Sequence, residues 1–484
     1  MDKKKESISK NIIRYSASNY FRQLLSVLTA FVRPKLLSPE YFGLWNLFKI
    51  IQTYSAYMHL GSRSAMRYLI PFHDSRKEDD KIRDIKGSTY WGSFYLNLML
   101  AVVLVLISFL NGLGREQRVG LITFAVIVML QWYCDYRISL LKACQNFKLI
   151  SSSNYVQSSL MFILTLVLIY FWGIVGAFAS VIVSLSVMVF YFMKKAPGEA
   201  PGVFKGNVFR KLVRYGFPIM LFNVIAILIR TSDRIMVSWF LGMEELGYYS
   251  IAIMILGFLM NIPGVSREVI EPKIMARMGS GSSGPWIREF FVEPIINTAY
   301  LMPFLIGLVV FALPIFINRV LPVYVTGVFP AQILVVGGYF LALSHGVRGI
   351  IVAHNWQMQA SVGMLFSLVC NIMASIAFIK AGLGIVGVSL GSALSFWVLL
   401  VCQLLFVCKK NKTIVSQLFP RLFHLFFPFL VMCLSIVLLE RGDACFSVND
   451  LIAAVVKLLL FFIISLGVVV ANKGNHTLGK KKGL

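Results

Sequence analysis

Residues 37–46 read L-S-P-E-Y-F-G-L-W-N, and 204 positions later residues 241–250 read L-G-M-E-E-L-G-Y-Y-S. The shared skeleton is Glu40/Glu244, an apolar residue (Phe42/Leu246), Gly43/Gly247, an aromatic residue (Trp45/Tyr249) and a small polar one (Asn46/Ser250). A second echo comes at a similar offset. Gly173-Ile174-Val175-Gly176 returns as Gly384-Ile385-Val386-Gly387, 211 positions on. Two different motifs separated by nearly one period imply duplication of a whole multi-helix unit. In a membrane protein such repeats build two lobes with a substrate path between them.

Composition places the chain in a membrane. With 58% hydrophobic and 14% charged residues over 484 positions, and a mean hydropathy of +0.77, a water-soluble domain is excluded on base composition. Apolar runs of about twenty residues recur along the whole chain, each long enough to cross a hydrocarbon core. About fourteen are read, at 15–34, 42–61, 89–111, 119–140, 154–172, 174–193, 213–240, 245–265, 292–313, 326–346, 358–379, 383–407, 419–439 and 451–471. None alternates with period two, so helices are favoured over a barrel. No removable signal peptide is expected after Met1-Asp2-Lys3-Lys4-Lys5.

The net charge of +25 is explained by topology. Numbering loops alternately puts about 33 of the 46 Lys and Arg on the N-terminal side and about 7 on the other. The basic segments are 1–14, 63–87, 194–214, 266–288, 409–421 and the tail with Lys480, Lys481 and Lys482. Both termini are therefore expected in the cytoplasm, and no nucleic-acid partner is expected. An even number of crossings separates the two copies of the first motif, so the repeat is parallel. The expected lobes are 1–200 (spans one to six) and 208–408 (spans seven to twelve), with the stretch 194–212 as linker. Residues 409–484 carry spans thirteen and fourteen and a basic cytoplasmic tail.

Polar groups inside the spans are the candidate site. A charge at a helix centre costs about 2.5–3.5 kcal/mol on insertion scales, so each one asks for a reason. Asn19, Arg22, Ser26, Thr29 and Arg33 share one helical face, and Asn46, Lys49 and Thr53 share another. Span seven carries Asn223, Arg230, Asp233 and Arg234. The expected substrate-binding set is Arg22, Lys49, Arg230, Arg234, Asn19, Asn46 and Asn223, lining a cationic cavity suited to an anion. Asp233 is the candidate for ion coupling or for a pair with Arg234. Arg137 is assigned to an ion pair with Asp135 or to snorkelling, and Lys457 to a headgroup or interhelix role. Glycine motifs such as Gly387-Val388-Ser389-Leu390-Gly391 are read as helix packing. The seven cysteines read as packing residues. Gly279-Ser280-Gly281-Ser282-Ser283-Gly284 reads as a polar loop rather than a nucleotide fingerprint. The histidines show no metal-ligand spacing, and no cofactor is expected.

The doubled six-helix lobe, L-x-P-E-x-F-G-L-W after span one, and D-R-x-x-x-x-x-x-L-G-x-x-E-L-G-Y-Y-S at 233–250 resemble the polysaccharide transporter (Wzx-type) flippases. These belong to the multidrug/oligosaccharidyl-lipid/polysaccharide exporter superfamily, which also holds the MATE drug exporters and the lipid II flippase. The resemblance implies an all-α integral membrane protein with two MATE-like parallel-repeat lobes plus two C-terminal helices. It implies a flippase, not an enzyme, in a bacterial inner membrane. The implied cargo is undecaprenyl-pyrophosphate-linked oligosaccharide, such as an O-antigen or related lipopolysaccharide unit, moved to the outer leaflet by alternating access. Polysaccharide polymerase and chain-length proteins are the implied partners. Arg22 and Lys49 resemble in placement basic residues on the first two helices of the lipid II flippase; a lysine at 49 lacks the bidentate fork of arginine.

Two other classes stay open at this point. A cation-coupled MATE-type drug exporter would share the fold but needs membrane carboxylates for its coupling ion. An integral-membrane polymerase or glycosyltransferase needs a sizeable extramembrane site with positioned acids and bases. The outer loops are short, and none holds a carboxylate pair with a basic partner.

Overall fold

The computed structural model describes residues 2–195, 202–279, 291–410, 422–441 and 455–467. Each expected span overlaps a helix over these residues, although the one expected at 42–61 ends at Ser55. In chain order these are α1 (Asp2–Leu36), α2 (Pro39–Ser55), α3 (Ser62–Asp74), α4 (Asp79–Ser108), α5 (Arg115–Ala143), α6 (Phe147–Lys195) and α7 (Gly206–Phe240). There follow α8 (Met243–Gly279), α9 (Glu293–Val320), a 3-10 turn (Pro322–Gly327), α10 (Val328–Ala353), α11 (Gln357–Lys380), α12 (Gly384–Lys410) and α13 (Leu422–Arg441). The last is α14 (Val455–Gly467). Residues 196–201 of the expected linker, the stretch 280–284, Cys445 and the basic tail lie outside the described residues.

Among the described residues ten helices are long and apolar enough to cross a membrane. The charged α1 and the 17-residue α2 are not among them. The fold is all-helical, because within hydrocarbon the backbone must satisfy its own hydrogen bonds. Side chains follow an inverted rule. On α4, Met99, Val102 and Leu106 point outward while Asn97 and Ser93 are buried.

The opening motif is a helix start followed by a core anchor. The Ser38 hydroxyl accepts the Tyr41 backbone N–H at 3.4 Å, Pro39 takes the first turn, and Glu40 faces the positive end of the α2 dipole. One turn later Trp45 and Phe48 enter a cluster with Phe124 of α5 and Phe178 of α6. Ring centroids lie 4.9 Å (Phe48–Phe124) to 6.4 Å (Trp45–Phe124) apart. Gly120 leaves room for the Phe48 ring. The second copy starts α8 differently, after Gly242 at φ +99°, with Glu244 and Glu245 in the first turn.

The second motif is a turn joined to a packing contact. Gly173 (φ +53°) and Gly384 (φ +51°) both hold left-handed backbone, which glycine adopts without Cβ strain. Gly173 breaks the 49-residue α6 into two arms, 147–172 and 174–195. Three residues later, a Cβ on Gly176 would strike the Leu168 carbonyl, and one on Gly387 would strike Phe378. Gly391 lies against Ser375. Beside it α11 and α12 are laced by Ser367 and Ser395, each hydroxyl donating to the other residue's carbonyl at 2.8 and 3.0 Å.

The chain divides into two compact units, Met1–Val224 and Ile225–Leu484, with the division inside α7. In the first, α5 packs on α2, α4 and α6. In the second, α10 packs on α8, α9 and α12, the same neighbour pattern one period later.

Helix α3 corrects the reading of 63–87 as a basic loop. Its first turn is buried, with Arg63 only 4% exposed, and it packs on α4 and α5. Its short amphipathic stretch is below span length, so hydropathy alone does not register it. The elbow before it rests on Gly61 (φ +91°), whose missing Cβ admits the backbone of Gly216 in α7.

Two alanine substitutions separate strain from clash. Gly61→Ala and Gly112→Ala (φ +96°, open space around it) both incur left-handed strain of about 1–2 kcal/mol. Gly61→Ala adds overlap of about 1–3 kcal/mol. Thermal unfolding in detergent is expected to show the larger drop for Gly61→Ala; equal drops would refute the close contact.

Candidate functional site

Unit one contains a cavity of about 340 Å³ lined by Lys49, Gln52 and Thr53 of α2, Gln131 of α5, and Gln157 and Ser184 of α6, with Met161, Val181 and Leu185. Six of these nine side chains are polar, and Lys49 is the one charged group among them.

A chain of hydrogen bonds leads away from Lys49. Its Nζ donates to Gln52 Oε1 at 2.8 Å. Gln52 Nε2 donates to Gln131 Oε1 at 3.3 Å, and Gln131 Nε2 donates to Asp135 Oδ1 at 2.8 Å. Asp135 Oδ2 meets Arg63 Nη1 at 3.2 Å, and Arg63 Nη2 donates to the Ala56 carbonyl at 2.8 Å, at the C-terminal end of α2. An ammonium only donates and a carboxylate only accepts, so the two ends fix which way both amides point. Burial pulls the Arg63 pKa below its ordinary value, and the negative charge of Asp135 opposes that fall.

Asp135 therefore pairs with Arg63 instead of Arg137. Residues two apart leave a helix on different sides. Arg137 donates to the Phe192 carbonyl at 3.5 Å, its guanidinium 5.7 Å from the Tyr133 ring centre.

The other expected site residues of unit one sit elsewhere. Arg22 is exposed on α1. Asn19 Oδ1 accepts from Asn154 of α6 at 3.3 Å. Asn46 donates to the Phe42 carbonyl of its own helix at 2.8 Å, and Asn223 to Ile219 at 2.9 Å. Arg33 lies 4.6 Å over the ring of Trp45. In unit two Asp233 is 3% exposed. Its Oδ1 accepts the Arg234 backbone N–H at 2.7 Å and its Oδ2 the Tyr249 hydroxyl at 2.9 Å. Arg230 is exposed and Arg234 half-buried.

Reading the sequence for charge missed Gln52, Gln131, Gln157 and Ser184, and placed Arg63 in a loop. The available signals were Gln52 one turn after Lys49, and Gln131 four residues before Asp135. No group of residues able to hold a metal occurs among the described residues.

Helices of this length and apolarity around a polar interior define a multi-pass integral membrane protein. Residues 8–268, more than half of the chain, match the polysaccharide biosynthesis protein family, and the chain belongs to that family. No curated protein matches the sequence. Among solved structures, the lipid II flippase MurJ in an inward closed conformation superposes with a TM-score of 0.72 at 15% identity, covering 94% of this chain and 98% of that one. An inward-facing multidrug resistance MATE family transporter of the MOP superfamily gives 0.66 at 14% identity, covering 83% and 98%. A MOP superfamily transporter from Pyrococcus furiosus, described by the reverse polarity of its binding pocket, gives 0.52 at 13% identity, covering 83% and 95%. This likeness establishes the MurJ/MATE-like fold.

The Arg63–Asp135 pair has a measurable signature. Asp135→Ala leaves a buried guanidinium and is expected to destabilise by about 3 kcal/mol, the lower end for a broken buried pair, since Asp135 is 22% exposed. Arg63→Met with Asp135→Leu is expected to recover most of that loss in detergent unfolding. Additive losses would show that the two side chains are not coupled.

Proposed function

We propose that this protein is a flippase carrying undecaprenyl-pyrophosphate-linked oligosaccharide from the cytoplasmic to the outer leaflet of a bacterial inner membrane. The observation that carries the proposal is Lys49 in a polar cavity between α2, α5 and α6 with no carboxylate in its lining. A cation held among neutral amides attracts a phosphate oxygen. Membership of the polysaccharide biosynthesis family supports a glycan as the rest of the cargo.

In this reading the repeat lobes 1–200 and 208–408 rock about the cargo in alternating access, with 409–484 as an appendage. Arg22, Arg230 and Arg234 supply further positive charge, Asn19, Asn46 and Asn223 polar contacts, and Asp233 a coupling or pairing carboxylate. Termini on the cytoplasmic side follow from the basic loops. Moving a negative headgroup outward is downhill in a cell with a negative interior, by about 2.3 kcal/mol per charge per 100 mV. An O-antigen or other lipopolysaccharide unit as cargo, and polymerase and chain-length proteins as partners, belong to the same proposal.

The drug-exporter reading draws on the likeness to MATE transporters. It needs a carboxylate facing the cavity for a cationic drug. The carboxylate next to this cavity, Asp135, is instead engaged by Arg63.

The test is complementation of a flippase-deficient strain. Arg22→Ala and Lys49→Ala are each expected to lower surface glycan about tenfold, the loss of one charge-assisted contact, with membrane insertion unchanged on immunoblots. Normal surface glycan in the double variant would remove both residues from the mechanism. Drug efflux from vesicles that ignores Arg22 would favour the exporter.

A further inference from the structure

The cavity of unit one is built for more than a phosphate. A bare anion is satisfied by cations and N–H donors, whereas this lining carries groups that both donate and accept. Gln52 and Gln131 each use one donor and one acceptor in the chain from Lys49 to Asp135. Each keeps a second N–H and a second lone pair. Gln157 presents a whole amide from α6 to the same space. Ser184 is 1% exposed, lines the cavity, and its buried hydroxyl has no hydrogen-bond partner among the described residues. An unpaired buried hydroxyl is destabilising, so the site favours a ligand that supplies the missing bond.

We infer that this cavity binds a glycosyl phosphate. Lys49 takes the phosphate, and Gln131, Gln157 and Ser184 read the ring hydroxyls. A vicinal diol donates and accepts at adjacent atoms, which is the pattern a fixed side-chain amide complements. The volume of about 340 Å³ suits one sugar ring with its phosphate, not an extended glycan. Asp135 and Arg63 act as positioning residues: they touch no ligand but set the direction of the Gln131 and Gln52 amides. Unit one on this view recognises the sugar next to the anionic link, so selection occurs at the reducing end of the cargo. The inference rests on the flippase reading and assigns it a substrate-discriminating subsite.

The test uses the full-length protein in phosphatidylcholine nanodiscs with radiolabelled glucose 1-phosphate as probe, competed by inorganic phosphate and by glucose. The expected result is binding about tenfold tighter for glucose 1-phosphate than for phosphate, one or two neutral hydrogen bonds in excess. Gln157→Leu and, independently, Ser184→Ala are expected to erase that preference while leaving the phosphate affinity unchanged. Lys49→Met is expected to weaken both ligands. The double variant Arg63→Met, Asp135→Leu, which removes the accepting end of the chain, is expected to lower the preference without moving the phosphate affinity. A merely structural role would weaken both together. Equal affinity for the two ligands, no binding of either, or parallel loss in Gln157→Leu and Ser184→Ala would overturn the inference. So would loss of probe binding on adding phosphatidylglycerol, which would assign the cavity to a lipid headgroup. Its failure is distinguishable from failure of the flippase reading. In cells, normal glycan export by Gln157→Leu with defective export by the Arg22→Ala, Lys49→Ala double variant would sink the subsite alone. Failure of the unaltered protein to restore surface glycan in the flippase-deficient strain would sink the flippase reading, whatever the nanodiscs report.

Discussion

A guanidinium enters a low-dielectric interior only with a partner, and Arg63 enters unit one against Asp135. That pair closes the elbow between α2 and α3, caps the end of α2 through the Ala56 carbonyl, and anchors α5 to both. It also supplies the accepting end of the chain that begins at Lys49. With an ammonium at one end and a carboxylate at the other, the amides of Gln52 and Gln131 are held in one direction, which gives the cavity a defined pattern of donors and acceptors. Stability and the polarity of the cavity thus draw on the same few polar atoms, as is common where a membrane interior admits polar groups sparingly.

The duplicated scaffold keeps its mechanics and changes its chemistry. In both halves a glycine at φ near +50° turns the chain between neighbouring helices, and a second glycine lets them close up. In both halves the aromatic residue of the Glu-Gly motif holds a charged group from the helix before it. Trp45 receives the Arg33 guanidinium on its ring face, while Tyr249 donates its hydroxyl to the Asp233 carboxylate. The packing problem is the same, and the sign of the buried charge is opposite.

The contrast between cations and carboxylates separates the functional readings. A site for organic cations presents an accessible acid, whereas here the acid beside the cavity is neutralised and the lining is ammonium, amide and hydroxyl. That lining complements the proposed anionic, hydroxyl-rich cargo, and the family to which the chain belongs is that of polysaccharide biosynthesis proteins.

The sequence by itself determined the membrane class, the rough positions of the helices and the packing role of the glycine motifs, while the left-handed turns at Gly173 and Gly384 appeared only in the structure. What the sequence shows is local: twenty apolar residues need no partner to declare themselves. Lys49 was also legible, because a charge in an apolar run is conspicuous. Its surroundings were not. Gln131 and Gln157 are neutral, scattered among apolar neighbours, and become significant only when α2, α5 and α6 pack side by side. Arg63 looked like one more basic loop residue until the fold of α3 buried it against an aspartate 72 positions away. Hydropathy records what one segment does in lipid; only tertiary structure decides which polar atoms meet, because that depends on how separate helices are rotated against one another.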